Sequence, residues 1–275
     1  MDTSGFEALE IRVSDHVAWV RIDHPPINLF DATLMREISK AGHRIEDDPE
    51  IRVAVFESAN PDYFIAHADA ELILQISTDI PEGELSGFQR MAERYRKMST
   101  VTIGKLRGRA RGGGSEFLMA LDMTYGAIGR ARVSQIEAGV GVLAGGGGTQ
   151  RLLQLMGRKK AMEALLGSGD YGAKEVERFG WITRALPNDE LDGFVAEIAE
   201  RIAAFPNAAV RFAKQSVIFA EGALEPGLAQ ENRLFHALLE EPGIREYAQK
   251  FLDAGGQTYK GELEVMELMK KLATR

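Results

Sequence analysis

The chain has 275 residues, 45% of them hydrophobic, which is enough to bury a substantial core and near the length at which one domain usually stays single. With 33 basic against 41 acidic residues the net charge is -8, so there is no electrostatic footprint for nucleic acid, and an anionic ligand must meet a local cluster of cations. Cysteine is absent, which excludes disulfides, thiolate metal sites and cysteine nucleophiles, and the histidines at 16, 24, 43, 67 and 236 lack metal-ligand spacing.

The opening, MDTSGFEALEIRVSD, carries neither a basic leader region nor a long apolar run. No later stretch reaches the roughly 18 apolar residues of a membrane span, so the expected setting is the cytosol, away from membranes. Leu9, Ile11 and Val13 alternate with polar residues, and after SDH the pattern resumes at Val17 and Trp19, which predicts a hairpin. HPPINLF interrupts it. Asp31 is placed to cap a helix through ATLMREISKAGHRI, with Leu34, Ile38 and Ile45 near one face. RVAVFES predicts a buried strand, followed by a loop, ANPDYFIAHAD, and a helix from about Asp69. A polar turn around TDIPEGELSG and a helix to Met98 follow. TVTIGKLRGRA reads as a second buried strand and DMTYGAI as a third. Glycine then dominates in EAGVGVLAGGGGTQ. Nearly all of the remainder is amphipathic helix, with one short strand at ITRAL and a wholly helical last 50 residues.

GRARGGGSEFLMALD delivers a strand through three glycines into a helix, with Glu116 at the junction. The first N–H groups of a helix have no internal acceptor and lie at the positive end of its dipole, so they suit a developing negative charge. Glycine there lets a ligand approach the backbone closely. FIAHADAEL repeats the arrangement after the preceding strand, with small Ala66 and Ala68 before a helix start at Asp69. Strand ends of an α/β sheet are where ligands bind. Glu137, in the glycine-rich loop, supplies a second carboxylate, and two carboxylates on one pocket can divide acid and base work when their environments differ. The bland alternatives are tight strand-to-helix packing for the glycines and solvated acids for Glu116 and Glu137.

Together, HPPINLF, YFIAHAD, GRARGGGSEFLMALD and SQIEAGVGVLAGGGGTQRL, in this order and spacing, resemble the crotonase superfamily, the enoyl-CoA hydratase and isomerase family. The resemblance covers almost the whole chain. It implies an α/β fold, a spiral of ββα units over residues 1–200 carrying an acyl-CoA site, and a C-terminal helical trimerisation region over 201–275. It also implies that the amides of Ala68 and Gly113 hold a thioester oxygen, that Glu116 activates water, and that Glu137 delivers the proton to the α-carbon. The backbone of Gly145 would help hold the water. Ala66, His67 and Asp69 fall in the CoA-binding segment, while Tyr247 and Lys250 match late residues that reach a neighbouring subunit's ligand. No cofactor is implied beyond coenzyme A as part of the substrate, and the implied assembly is a homotrimer or a dimer of trimers.

Three departures stand out. His67 occupies a position where the family usually has glycine, and its expected place is against solvent or adenine. Ala144 stands where proline is frequent, and Glu71 where a basic residue is frequent, which removes one phosphate contact. Arg21 and Arg52 are generic candidates for phosphate. Two carboxylates favour hydration over a Δ3,Δ2-isomerase; lyases and hydrolases share the oxyanion frame. GVGVLA fits a dinucleotide pattern formally, but ARVSQIEA is a poor strand to precede it. A non-catalytic acyl-CoA-binding or RNA-binding homologue is disfavoured by the retained glutamates and the charge of -8.

Overall fold

The computed structural model describes residues 1–76 and 83–273. β1 (Leu9–Ser14) and β2 (Val17–Ile22) form the expected hairpin, paired from Leu9 with Ile22 to Ser14 with Val17. Its two-residue turn holds Asp15 and His16 at φ of 47° and 64°, the mirror-image turn that matches strand twist. α1 (Ala32–Asp47) starts where Asp31 accepts from the Leu34 amide at 2.9 Å. β3 (Val53–Ser58) follows, and then the segment read as a plain loop contains a strand, β4 (Tyr63–Ile65). All three residues of β4 are buried, and its brevity hid it. α2 (Ala70–Gln75) and α3 (Gly87–Lys97) come next, α3 with a capping box between Ser86 and Gln89. The start of the polar turn expected between them lies outside the described residues.

The expected single strand TVTIGKLRGRA is two strands, β5 (Val101–Leu106) and β6 (Arg109–Arg111), in different sheets. Gly108 separates them at φ 72°, where a side chain would run into the Asp62 carbonyl. α4 (Gly113–Ala120), β7 (Met123–Ala127) and β8 (Arg132–Ser134) follow, so ARVSQIEA does contain a strand, three residues long. After a 3-10 turn at Glu137–Val140 come α5 (Gly148–Gly167), broken at Gly157, then β9 (Tyr171–Gly172), α6 (Ala173–Phe179) and β10 (Arg184–Leu186). The rest is α7 (Leu191–Ala204), α8 (Asn207–Glu221), α9 (Glu225–Glu240), α10 (Ile244–Asp253), α11 (Tyr259–Leu263) and α12 (Val265–Ala273). The last stretch is not wholly helical, because Gly255 at φ 102° and Gln257 at φ 64° turn the chain between α10 and α11.

The six-stranded sheet has the order β1-β2-β3-β5-β7-β10, parallel apart from the β1–β2 hairpin. The four-stranded sheet has the order β4-β6-β8-β9, with β4, β6 and β8 parallel. The chain steps from one sheet to the other three times, β3 to β4, β5 to β6 and β7 to β8, and after each step it enters a helix. This is a spiral of ββα units. Val53, Val55, Val101 and Ile103 face Val195 and Ala199 of α7, while Ala54, Phe56 and Leu106 face Leu34, Ile38 and Phe117 on the other side. Burial on both faces explains why β3 and β5 read as continuous apolar runs.

Candidate active site

β4 and β6 lie side by side and parallel, so both deliver their following residues to one edge of the small sheet. Ala68 forms a parallel bridge with Phe30, whose amide donates to the His67 carbonyl at 2.9 Å and whose carbonyl accepts from Asp69 at 3.2 Å. Those bonds leave the Ala68 amide pointing to the opposite side. Gly113 opens α4, so its amide has no acceptor within the helix. A methyl group added to Gly113 would lie 3.1 Å from the Ala68 Cβ and 3.3 Å from the Ala68 nitrogen. Gly113 therefore packs directly against Ala68, and an added methyl there would press on it. The residue before, Gly112, has φ 47°, and a Cβ there would stand 2.7 Å from Glu137 Oε1.

Glu116 lies in the first turn of α4 and is 2% exposed. The helix cannot roll, because the next residue, Phe117, is wedged edge-on against Phe56 and Tyr95, each at 5.3 Å. One oxygen of Glu116, Oε1, accepts from the amides of Gly146 and Gly148, both at 2.8 Å. Burial and the nearby charge of Glu231 push Glu116 up to about 7, against the pull of those two amides.

Glu137 begins the 3-10 turn after β8. Its Oε2 is enclosed without a hydrogen-bond partner, and burial followed by the charge of Glu116 holds its pKa well above the ordinary carboxylate range. Both glutamates line a cavity of about 440 Å³, together with Ala68, Asp69 and Gly145. Its further wall is apolar, built from Phe30, Leu72, Phe88, Leu143 and Phe235. Two acids with unequal surroundings thus face one space that Ala68 also lines, while Gly113 packs against Ala68 without lining the cavity itself.

The other expected positions are distributed unevenly. Ala66 is fully buried, its amide on the Ile27 carbonyl, and does not line the cavity. Asp69 caps α2 and accepts from Gln257 Nε2 at 3.0 Å. His67 faces neither solvent nor an open adenine site: it is 4% exposed, lies under Phe251, and bonds Glu262. Its φ is not positive, so replacing the family's glycine has not strained the backbone. Tyr247 packs on Gly141 of its own chain, and exposed Lys250 pairs with Glu246 at 3.0 Å, so neither lines the cavity. Arg21 pairs with Glu10 and Arg52 donates to the Ala203 carbonyl, both away from the site. α12 lays Val265 and Met269 against Ile136 and Phe251 of its own chain.

Several residues around the site carry no local motif. Glu231 of α9 accepts from the Gly147 amide at 2.6 Å, the Thr149 amide at 2.9 Å and the Thr149 hydroxyl. Arg151 donates to the Gly146 carbonyl at 2.8 Å and to Glu93 at 2.9 Å, and Glu93 also binds Arg96. The available signal was three polar residues, Glu231, Asn232 and His236, on the helix face that otherwise carries Leu228, Phe235 and Leu239.

The ββα spiral, with two carboxylates on one cavity beside Ala68, is that of the crotonase superfamily. The enoyl-CoA hydratase/isomerase family model matches residues 12–262, and the chain belongs to that family. A probable enoyl-CoA hydratase of Mycobacterium bovis is 31% identical over 250 residues, covering 90% of this chain and 96% of that protein. The crystal structure of an enoyl-CoA hydratase candidate from Streptomyces avermitilis superposes with a TM-score of 0.90 at 37% identity, covering 98% of this chain and 100% of that one. An enoyl-CoA hydratase from Bacillus halodurans, at 20% identity, shares the fold with a TM-score of 0.80 over 88% of this chain and 99% of its own. No helix among the described residues is long and apolar enough to cross a membrane.

Proposed function

We propose that the protein hydrates 2-enoyl-CoA thioesters. The thioester oxygen would accept from the amides of Ala68 and Gly113, water would add to the β-carbon, and a proton would reach the α-carbon. The product is a 3-hydroxyacyl-CoA; water and enoyl thioester balance the reaction, and no cofactor enters. Charge on the thioester oxygen grows as the β-carbon is attacked, so donors fixed at that oxygen act on the transition state more than on the ground state.

The observation that carries the reading is the inequality of the two acids. Glu116, held by two amides and pushed up to about 7, can ionise near neutral pH and take a proton from water. Glu137, whose Oε2 is enclosed without a partner and whose pKa burial raises, is the group suited to hold a proton and donate it. An isomerase needs one such group that shuttles a proton, and the second carboxylate would then stand idle.

The test is the loss of conjugated enoyl absorbance on mixing the protein with crotonyl-CoA, beside the Glu116→Gln and Glu137→Gln variants. Rapid loss that both variants abolish supports hydration. Persistence of the absorbance, with conversion of a 3-enoyl-CoA to the conjugated isomer, replaces the reading with isomerisation. We further infer a homotrimer or dimer of trimers, supported by exposed Leu153 and Leu166 on α5 and exposed Phe212 and Phe219 on α8.

A further inference from the structure

We propose that His67 and Glu262 form a buried ion pair that positions the oxyanion hole, with an imidazolium bonded to the Ala68 carbonyl and one C-terminal helix tied to both donor strands. This rests on the hydratase reading for its catalytic consequence, while the ion pair itself can be tested without it.

The ring of His67 is anchored at both nitrogens. Nδ1 lies 2.7 Å from the Ala68 carbonyl oxygen and Nε2 lies 2.9 Å from Glu262 Oε1. A carbonyl can only accept, and so can an ionised carboxylate, so a ring that satisfies both donates from both nitrogens and is positive. Glu262 Oε1 also accepts from the Gln257 amide at 2.8 Å, which favours the ionised carboxylate. His67 is 4% and Glu262 0% exposed, so little water screens the pair. Burial opposes charge on both groups, and their mutual attraction outweighs it: His67 titrates above the ordinary imidazole value and Glu262 below the ordinary carboxylate value.

Glu262 Oε2 is enclosed without a hydrogen-bond partner, so the charge of the pair rests on the Oε1 contacts with His67 and the Gln257 amide, where Glu262, unlike Glu137, has a cation beside it. From β6, Arg111 donates to the Glu262 carbonyl at 2.8 Å and pairs with Asp170 at 3.1 Å, so its own charge is balanced. From the 3-10 turn, Glu137 shares a small void with His67, and Asp69 stands two residues on along the chain. Phe251 of α10 covers the ring edge-on at 5.9 Å.

Glu262 thereby joins two strands that sequence keeps far apart. Its side chain holds the residue before Ala68, and its carbonyl holds Arg111, two residues before Gly113. Gln257 adds a second grip, donating to Asp69 at 3.0 Å and accepting from the Ala70 amide. The separation of the two amide donors is thereby set in part by α11, and a fixed positive charge on the residue next to Ala68 would favour an oxyanion held there. His67 and Glu262 are positioning residues and touch no substrate.

The test combines histidine nitrogen NMR with kinetics on the full chain. In the parent protein both ring nitrogens of His67 should show protonated shifts at pH 7, above the range where an ordinary imidazole stays charged, and Glu262→Gln should restore a neutral ring at that pH. On crotonyl-CoA, His67→Gln should lower kcat about tenfold with KM within about twofold, since its amide can still bond the Ala68 carbonyl while the charge is gone. The His67→Gln/Glu262→Gln double variant keeps two bonding amides in place of the ions, guards against misfolding of the single acid variant, and should lose no more than His67→Gln alone. A neutral His67 at pH 7 in the parent overturns the proposal, as does a folded His67→Gln protein of unchanged kcat. A parent protein inactive on every enoyl-CoA overturns the hydratase reading instead, and the NMR result then decides the ion pair by itself.

Discussion

Glu116 and Glu231 grip the same glycine run from two sides in alternation: the amides of Gly146 and Gly148 donate to Glu116, and those of Gly147 and Thr149 donate to Glu231. A loop with almost no side chains of its own is thereby fixed by two acids from different helices. The arrangement also couples them, because the charge of Glu231 raises the pKa of Glu116. Glu231→Gln should remove that repulsion and set an amide N–H against the amides of Gly147 and Thr149. Glu116 would then titrate lower, so the acidic limb of the kcat/KM profile should move to lower pH. The lost bond should lower stability by about 1–3 kcal/mol. Initial rates across pH, with a melting curve, check both.

Glu137→Gln should reduce turnover by about a hundredfold or more, the usual scale of general acid catalysis, while acyl-CoA affinity stays close to that of the parent. The change removes the proton and leaves the amides of Ala68 and Gly113 untouched. Calorimetric binding of a saturated acyl-CoA alongside turnover separates the two effects; equal losses in both would reassign Glu137 to binding.

The raised pKa of Glu116 has a stability signature with a definite sign. The unfolded carboxyl ionises near 4.5, the folded one at about 7, so in between the folded state holds the extra proton. That contribution is complete below about pH 4.5 and disappears as pH rises through about 7. Glu116→Gln escapes the loss while its amide oxygen can still accept from Gly146 and Gly148. Its melting temperature should exceed the parent's at pH 8, and the gap should shrink toward pH 5. A gap independent of pH would show that Glu116 ionises normally.

Gly112→Ala should be damaging twice over. The residue sits at φ 47°, and the new methyl would press on Glu137 Oε1. Expected are a lower melting temperature and a fall in turnover greater than the loss of folded protein explains, measured on the same preparation at a temperature well below its transition.

That Glu116, Glu137 and Ala68 come to one cavity, with Gly113 packed on Ala68, was legible in the sequence because each stands in or beside a short segment whose local rule is visible: strand, glycine or small residue, helix start. The hairpin and the α1 cap were legible for the same reason. Strand β4 was not, since three apolar residues in a loop carry no period, and TVTIGKLRGRA concealed a change of sheet at Gly108 that hydrophobicity does not register. Glu231 and Glu262 were invisible as site residues. Each lies on a helix of ordinary composition and meets its partner through tertiary packing, Glu262 across 195 residues to His67. His67 drew notice as an odd residue, but its partner could only come from the fold.

The late position of Glu231 and Glu262 bears on biogenesis. A chain emerging from the ribosome can pair its strands and align Ala68 with Gly113 long before α9 and α11 are synthesised. Until then the glycine run lacks one of its two anchors and His67 has no counterion. The proposed active site is therefore completed last, after the scaffold, and a truncated product that retained the spiral would be expected to fold into a shell with a slack centre.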